Sequence, residues 1–234
     1  MPSPSNDFPP SAWVQGHAIL IPAGGAVLDL ACGRGRHTRL LAGLGYAVEA
    51  VDRDAEALAG LAGLPGVTVR CADIEQRQWP YTGQRFAGIV VCNYLHRPLF
   101  PHLLAALAEG GALIYETFML GNERLGRPAT PDFLLRPNEL LDVFGASLQV
   151  VAFEQGEVTR PKPAVVQRLC AVRSPDPVRL PCFAAHHAPI LPFRRICVEA
   201  DKIHETMMGI ECISCRAPCL ASPSISFSSC SSTP

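Results

Sequence analysis

The stretch Val27-Leu-Asp-Leu-Ala-Cys-Gly-Arg-Gly-Arg-His-Thr38 constrains this chain more than any other. A short apolar run, 26–30, ends in a turn carrying Gly33 and Gly35, and a helix-like stretch opens after it, as expected of a buried parallel strand feeding a helix. Glycine suits such a bend because a Cβ would hold the backbone away from a ligand and because the bend can require positive φ. Nucleotide-binding turns of several kinds share a Gly-x-Gly after a strand, so the neighbouring residues must decide between them. Where a dinucleotide fingerprint has its third glycine this chain has Thr38, and no Gly-Lys-Ser/Thr follows to make a P-loop. Asp29 lies inside the strand itself. A carboxylate at that depth needs partners, either backbone amides of the turn or, through water, a ligand ammonium, and it would repel a phosphate.

The same strand-then-helix rhythm runs on to residue 173. A helix is expected over 37–44, with Leu40, Leu41 and Leu44 on one face, and a second strand over 47–51 closing on Asp52. Asp54 can cap a helix through Leu61, and Pro65-Gly66 leads to a third strand over 67–71 followed by Asp73. A nearly all-apolar fourth strand spans 86–92. A helix with Leu103, Leu104 and Leu107 inward then runs to Gly110-Gly111, and a fifth strand follows over 112–117. The long irregular stretch 118–136 reads as a lid or binding loop. After a helix at 138–144, strands over 148–154 and 164–172 have no helical pattern between them, hence an antiparallel hairpin. The expected architecture is an open α/β sheet, mostly parallel, with helices on both faces.

Asp52 falls 19 residues beyond Gly33, where a carboxylate can grip both hydroxyls of a ribose. With Asp29-Leu-Ala-Cys-Gly-Arg-Gly35, Asp52 and Ala72-Asp-Ile74 each at a strand end, the chain resembles the class I S-adenosylmethionine-dependent methyltransferases over roughly residues 12–173. It is similar above all to their small bacterial, tellurite-resistance-type branch. The resemblance implies a Rossmann-like, seven-stranded sheet with one antiparallel strand, and S-adenosyl-L-methionine as cofactor. It implies that Gly33 and Gly35 line the methionine part, beside Asp29, and that Asp52 holds the ribose with Arg53 next to it. Asp73 would meet the adenine amino group with Ile74 against the ring, and Asn93 and Tyr94 would sit beside the sulfonium. The plain alternative is that Asp52 and Asp73 are helix N-caps; one such coincidence is ordinary, and three acids along one rim are less so.

Methyl transfer from a sulfonium is an in-line displacement on an activated donor, so alignment matters most and a dedicated catalytic side chain is optional. Candidates cluster after the fourth strand, in Cys92-Asn-Tyr-Leu-His-Arg97. His96 is the candidate general base, against the reading that it merely starts a helix and faces solvent. Tyr94, His96 and Glu116 are candidate substrate contacts; Tyr94 could equally fill a wall and Glu116 cap the next loop. Arg124, Arg127 and Arg136 could clamp an anionic substrate, although a solvated lid face is the commoner use of such charges. His37 reads as a first-turn helix residue rather than a ligand, and Trp13 as either a cofactor cover or the buried side of an amphipathic helix.

Composition bounds the partners. A formal net charge of -1, no basic stripe with interleaved aromatics and no Asn/Asp-Pro-Pro-aromatic segment argue against nucleic acid and for a small-molecule acceptor. No apolar run long enough for a span and no signal-like start point to a cytoplasmic monomer or homodimer. Residues 174–234, rich in Pro, Ser and Cys, read as a poorly ordered extension to the 1–173 methyltransferase domain. Its Cys212, Cys215 and Cys219 with His204 lack the paired Cys-x-x-Cys knuckles of a zinc site, so no metal is expected. Two rival functions remain: a non-catalytic S-adenosylmethionine-binding protein, and an NAD-dependent oxidoreductase, which Thr38 and Asp29 disfavour.

Overall fold

The computed structural model describes residues 8–76 and 79–180. Inter-residue contacts divide the chain into 1–184 and 185–234; the second unit, with the Cys/His cluster of the tail, lies outside the described residues.

The strand β1 (Ala26–Leu30) shows why the sheet forms here. Side chains alternate across a strand, and this one meets apolar matter on both sides. Leu28 and Leu30 enter one core cluster, Val27 the other, and all three are almost completely buried. Each such side chain contributes about 1.5–3 kcal/mol of burial. The same division recurs along β4 (Phe86–Cys92), where Ile89 and Val91 face one cluster and Val90 the other. It recurs again in β5 (Leu107–Phe118) and β7 (Ala164–Val172). With β2 (Ala47–Asp52), β3 (Val67–Cys71) and β6 (Gln149–Val158), they form one seven-stranded sheet in the order β3-β2-β1-β4-β5-β7-β6. The first five strands pair in parallel, and β7 runs antiparallel to both β5 and β6.

Among the described residues five α-helices cover the faces: α1 (Ala12–His17), α2 (Arg36–Gly43), α3 (Ala55–Ala59), α4 (Phe100–Ala106) and α5 (Glu139–Phe144). Trp13 and Val14 of α1 and Leu41 of α2 join the cluster of Val27 and Val90. Phe100 and Leu103 of α4 and Leu140 and Phe144 of α5 join the opposite one. Three local expectations need correction. Leu44 ends α2 as its C-cap and is 55% exposed, so the inward face of that helix is His37, Thr38 and Leu41. The chain leaves α4 one turn earlier than the leucine spacing suggests, and Leu107 is already strand. A register shift between Phe86 and Gly88 absorbs the Gly110-Gly111 segment within β5. Ordered packing also passes residue 173: Gln149 donates to the Ser174 and Asp176 carbonyls, and Val178 packs against the core.

Candidate functional site

Strand order reverses between β1 and β4, and a crevice opens at their carboxyl ends, where open α/β sheets receive ligands. Two hollows meet there, sharing Ala31 and Asn93 on their walls. One, of about 220 Å³, is lined by Asp52, Arg53, Asp73, Ile74, Glu75 and Tyr94. The other, of about 350 Å³, is lined by Asp29, Gly33, Arg36, His37 and Cys92, with Phe8 at its mouth. Of the expected cofactor, catalytic and substrate residues, Gly35, His96 and Glu116 line neither hollow, and neither do Trp13 or the loop arginines Arg124, Arg127 and Arg136.

The bend is built on backbone that takes positive φ. Gly33 has φ +54° and open space where a Cβ would stand, so its surface is bare toward the hollow. Gly35, at φ +75°, has a different constraint: a Cβ there would run into the Leu61 side chain. Ala31 and Asn93 also hold positive φ, 53° and 57°, each just past a strand at the crevice. For a non-glycine residue that conformation costs about 1–2 kcal/mol, met here by tertiary contacts. The Asn93 amide donating to the Glu116 carbonyl at 2.8 Å is one of them.

Asp29 is 1% exposed and accepts from the Thr38 hydroxyl at 2.6 Å. Thr38, read in the sequence only as a missing glycine, is thus the partner that the strand carboxylate requires. Burial pushes the Asp29 pKa up to about 6, against the pull of the Thr38 hydrogen bonds. Asp52 accepts from the Gly33 amide at 2.8 Å and, through its other oxygen, from the Asp54 amide at 3.0 Å. The N-cap of α3 is Asp54, whose side chain accepts from the Glu56 and Ala57 amides. The capping explanation therefore fails for Asp52, which instead ties the glycine bend to the end of β2. Asp73 accepts from the Glu75 amide in a turn, with buried Ile74 between them. Tyr94 donates its phenol to Glu75 at 3.1 Å across the hollow, and burial followed by the Glu75 charge raises its pKa. Glu75 had no sequence signal beyond its nearness to Asp73.

His37 is 3% exposed and lines the second hollow, so it is more than a first-turn helix residue. Its Nε2 accepts from the Ser11 amide at 3.1 Å, and burial with the Arg36 charge lowers its pKa to about 3, leaving a neutral imidazole. Glu116, 8% exposed, accepts from the Ser11 hydroxyl. Arg168 Nε stands 2.7 Å from the same carboxylate, an ion-pair distance, although its N–H makes no well-directed hydrogen bond. Ser11 is thereby held from two sides, and the segment from Phe8 to Ser11 lies against the second hollow. Trp13 is buried, with its indole N–H 3.4 Å from the Leu169 carbonyl, which fits the amphipathic-helix reading. His96 is a half-buried N-cap whose side chain makes no hydrogen bond among the described residues. Arg136 reaches Glu139, while Arg124 donates to the Gly121 carbonyl. Among the described residues, no group of three or more His, Cys, Asp or Glu side chains could hold a metal ion, and no helix is long and apolar enough to cross a membrane.

A 3-2-1-4-5-7-6 sheet with its one reversed strand at β7, and a ligand crevice behind a Gly-x-Gly bend, defines the class I methyltransferase fold. Residues 27–111, which carry the bend, Asp52, Asp73 and Asn93, match the family model of the methyltransferase domain. The chain thus has the class I methyltransferase fold, and its match to the methyltransferase domain model is confined to residues 27–111. Solved structures agree on the fold. TehB from Haemophilus influenzae is 19% identical with a TM-score of 0.55, covering 69% of this chain and 61% of its own, so the match spans less than two thirds of that protein. An S-adenosylmethionine-dependent methyltransferase from Mesorhizobium loti is 17% identical with a TM-score of 0.55, covering 70% and 99%. The glycopeptide N-methyltransferase MtfA, complexed with S-adenosyl-L-homocysteine, is 18% identical with a TM-score of 0.50, covering 69% and 88%. No curated protein matches the chain by sequence.

Proposed function

We propose that the crevice binds S-adenosyl-L-methionine and that the protein transfers its methyl group to a small-molecule acceptor. The observation that carries this reading is the pair of adjoining hollows at the sheet's reversal point, one walled by Asp52, Asp73 and Ile74, the other by Asp29 and bare Gly33. The first has acceptors for a ribose and an adenine amino group and an apolar surface for the ring; Arg53, Glu75 and Tyr94 complete its wall. The second has a buried carboxylate suited to an ammonium. Asn93, shared by both, belongs beside the sulfonium. The cofactor supplies an activated methyl group. What this chain's residues supply is alignment, exclusion of water and, for an acidic acceptor, removal of a proton.

Each Asp52 oxygen has spent one lone pair on an amide and keeps another free, so a ribose hydroxyl can be added without breaking the bend. Glu116 supports the site indirectly, by holding Ser11. His96 would meet an acceptor only beyond the walls of the two hollows. His96→Ala lowering kcat about 100-fold at unchanged cofactor affinity supports it as a base, and an unchanged kcat removes it. A cytoplasmic monomer or homodimer, independent of membrane and nucleic acid, belongs to the same reading and rests on sequence composition and charge.

Calorimetry with S-adenosylmethionine, S-adenosylhomocysteine and NAD tests the proposal. Both adenosyl ligands are expected to bind, and Asp52→Ala to weaken them by about 1–3 kcal/mol through lost charge-assisted hydrogen bonds. NAD binding with no response to either adenosyl compound would defeat it.

A further inference from the structure

Methylation leaves most acceptors with a proton to lose, and the described walls of the two hollows hold no side chain left to take it. Of their four carboxylates, Asp29, Asp52 and Asp73 are spent on the cofactor in the reading above, and Glu75 accepts from Tyr94. That hydrogen bond keeps Tyr94 a phenol, and burial with the Glu75 charge raises its pKa. His37 is a neutral imidazole, which has one accepting nitrogen, and the Ser11 amide occupies it. Burial pushes the Cys32 and Cys92 thiols up, Cys92 to about 12, so both stay protonated. The other polar side chains of the walls are Asn93 and the cations Arg34, Arg36 and Arg53. An acceptor that arrives as an anion has no need of a base.

The rim beside Tyr94 and His96 carries apolar surface and charge suited to such an acceptor. Arg97, the residue after His96, donates to the Asp132 and Leu134 carbonyls at 2.8 and 2.9 Å. These flank Phe133, so a ring that is 55% exposed is fixed beside the segment that follows β4. Leu120 donates to the Leu135 carbonyl and Leu135 to that of Phe118, which holds exposed Leu120 alongside. Cations flank the end of β5. Lys162, in the turn between β6 and β7, has its ammonium 5.8 Å from the Phe118 ring centroid. Arg124 uses only Nε, on the Gly121 carbonyl, and exposed Arg127 has no side-chain partner among the described residues. Of the loop's two acids, Glu123 turns back onto the Gly121 amide and Asp132 is near enough to Arg97 to interact with its charge. Large apolar side chains displayed on a loop held this firmly mark a contact surface, and cations around it attract an anion.

We propose that the acceptor is a carboxylic acid with an apolar body, methylated as its carboxylate, whose body lies on Phe133 and Leu120 while Arg124, Arg127 and Lys162 attract its charge. The proposal rests on the methyl-transfer reading and names the acceptor class for that site. A carboxylate oxygen forms the new O–C bond as the S–C bond breaks and its electron pair returns to sulfur. The products are a methyl ester and S-adenosylhomocysteine, and no proton moves.

The probes are decanoate, decylamine, decanol and decanethiol, given to the full chain. Calorimetry with S-adenosylhomocysteine present reads their binding, and methyl transfer from S-adenosylmethionine reads their reactivity. Decanoate is expected to bind and to react about 10-fold faster than the others or more. Its rate should stay level from about pH 6.5 to pH 9, because a carboxylate is ionised throughout. Phe133→Ala should raise both Kd and KM for decanoate about 10-fold, through lost apolar contact, at unchanged kcat and cofactor affinity. The double variant Arg127→Gln, Lys162→Gln should raise both about 3-fold at low salt and less at high salt. Faster transfer to another probe, a rate that climbs with pH and stops climbing in His96→Ala, or a Phe133→Ala variant equal to the wild type would each overturn the proposal. So would decanoate failing to bind to a protein that binds S-adenosylmethionine. A wild type that does not bind S-adenosylmethionine would instead bring down the methyl-transfer reading, a separate failure that the cofactor titration identifies.

Discussion

Asp29 and His37 sit on one hollow and respond to acid in opposite senses. His37 has its pKa lowered to about 3 from an ordinary 6.5, so the unfolded chain takes up this proton first on acidification, and the folded protein loses stability as pH falls below about 6.5. Asp29 is raised from 3.8 to about 6, so between those values the folded protein binds the extra proton. Its ionisation therefore costs stability as pH rises through that window, and the two slopes oppose each other from about pH 4 to pH 6. Asp29→Asn removes one of them. Its melting temperature is expected to exceed the wild type's at pH 7.5, by the equivalent of roughly 1–3 kcal/mol. The gain should vanish near pH 4, and the loss of affinity for S-adenosylmethionine should be largest above about pH 6 and narrow as pH falls below it. Thermal melts across pH 4–8 check this, and a pH-independent difference would show that the Asp29 charge is not what costs stability. Gly35→Ala belongs to the same scale. With positive φ and Leu61 in the way of the new methyl, it should lower stability by about 1–3 kcal/mol, measurable by urea denaturation.

At the scale of elements, the long connection after β5 is not loose. Arg97, just past β4, donates to both Glu139 oxygens at 2.6 and 3.0 Å and to the Asp132 and Leu134 carbonyls, while Met119 bridges Leu135. One guanidinium thus ties the end of β4 to the loop and to the first turn of α5. Burial alone would raise the Glu139 pKa, but hydrogen bonds from Arg97 and the Arg136 amide outweigh it and the net shift is downward. Such a carboxylate stabilises the fold above its unfolded pKa, and that stability is lost as pH falls through its lowered folded value. Glu139 is 3% exposed, so Arg97→Met leaves a buried charge short of its partner. Because the Arg97 side chain is itself 34% exposed, the expected cost is the lower range, about 2–3 kcal/mol. Limited proteolysis should then cut within 119–138 before the rest of the domain. Equal resistance in mutant and wild type would mean that the loop's own bridge and turns suffice.

At the scale of the whole molecule, packing runs from α1 through Val178. A chain ending at Leu180 is therefore expected to keep its cofactor affinity, whereas one ending at Arg173 should melt lower, since it loses the Gln149 contacts and Val178. Calorimetry and thermal melts on the two truncations check this; a large loss of affinity in the longer one would give the tail a role at the site. The sheet was legible in the primary sequence because parallel strands buried on both faces must be mostly apolar runs, and 26–30 and 86–92 are such runs, while the edge strand 67–71, with Thr68 and Arg70, was legible from its bounds, Pro65-Gly66 before it and Asp73 after it. The rim acids were legible too, since a strand end followed by Asp is a position rather than a conformation. What the residues alone determined is this order of strands, bends and acids along the chain. What only the tertiary structure decided is which side chains share a space. Thr38 satisfies Asp29, and Ser11 returns from before the first strand to meet His37 and Glu116. Those pairings join residues up to 105 apart in sequence and depend on how helices settle on the sheet, a matter of packing that no local spacing encodes.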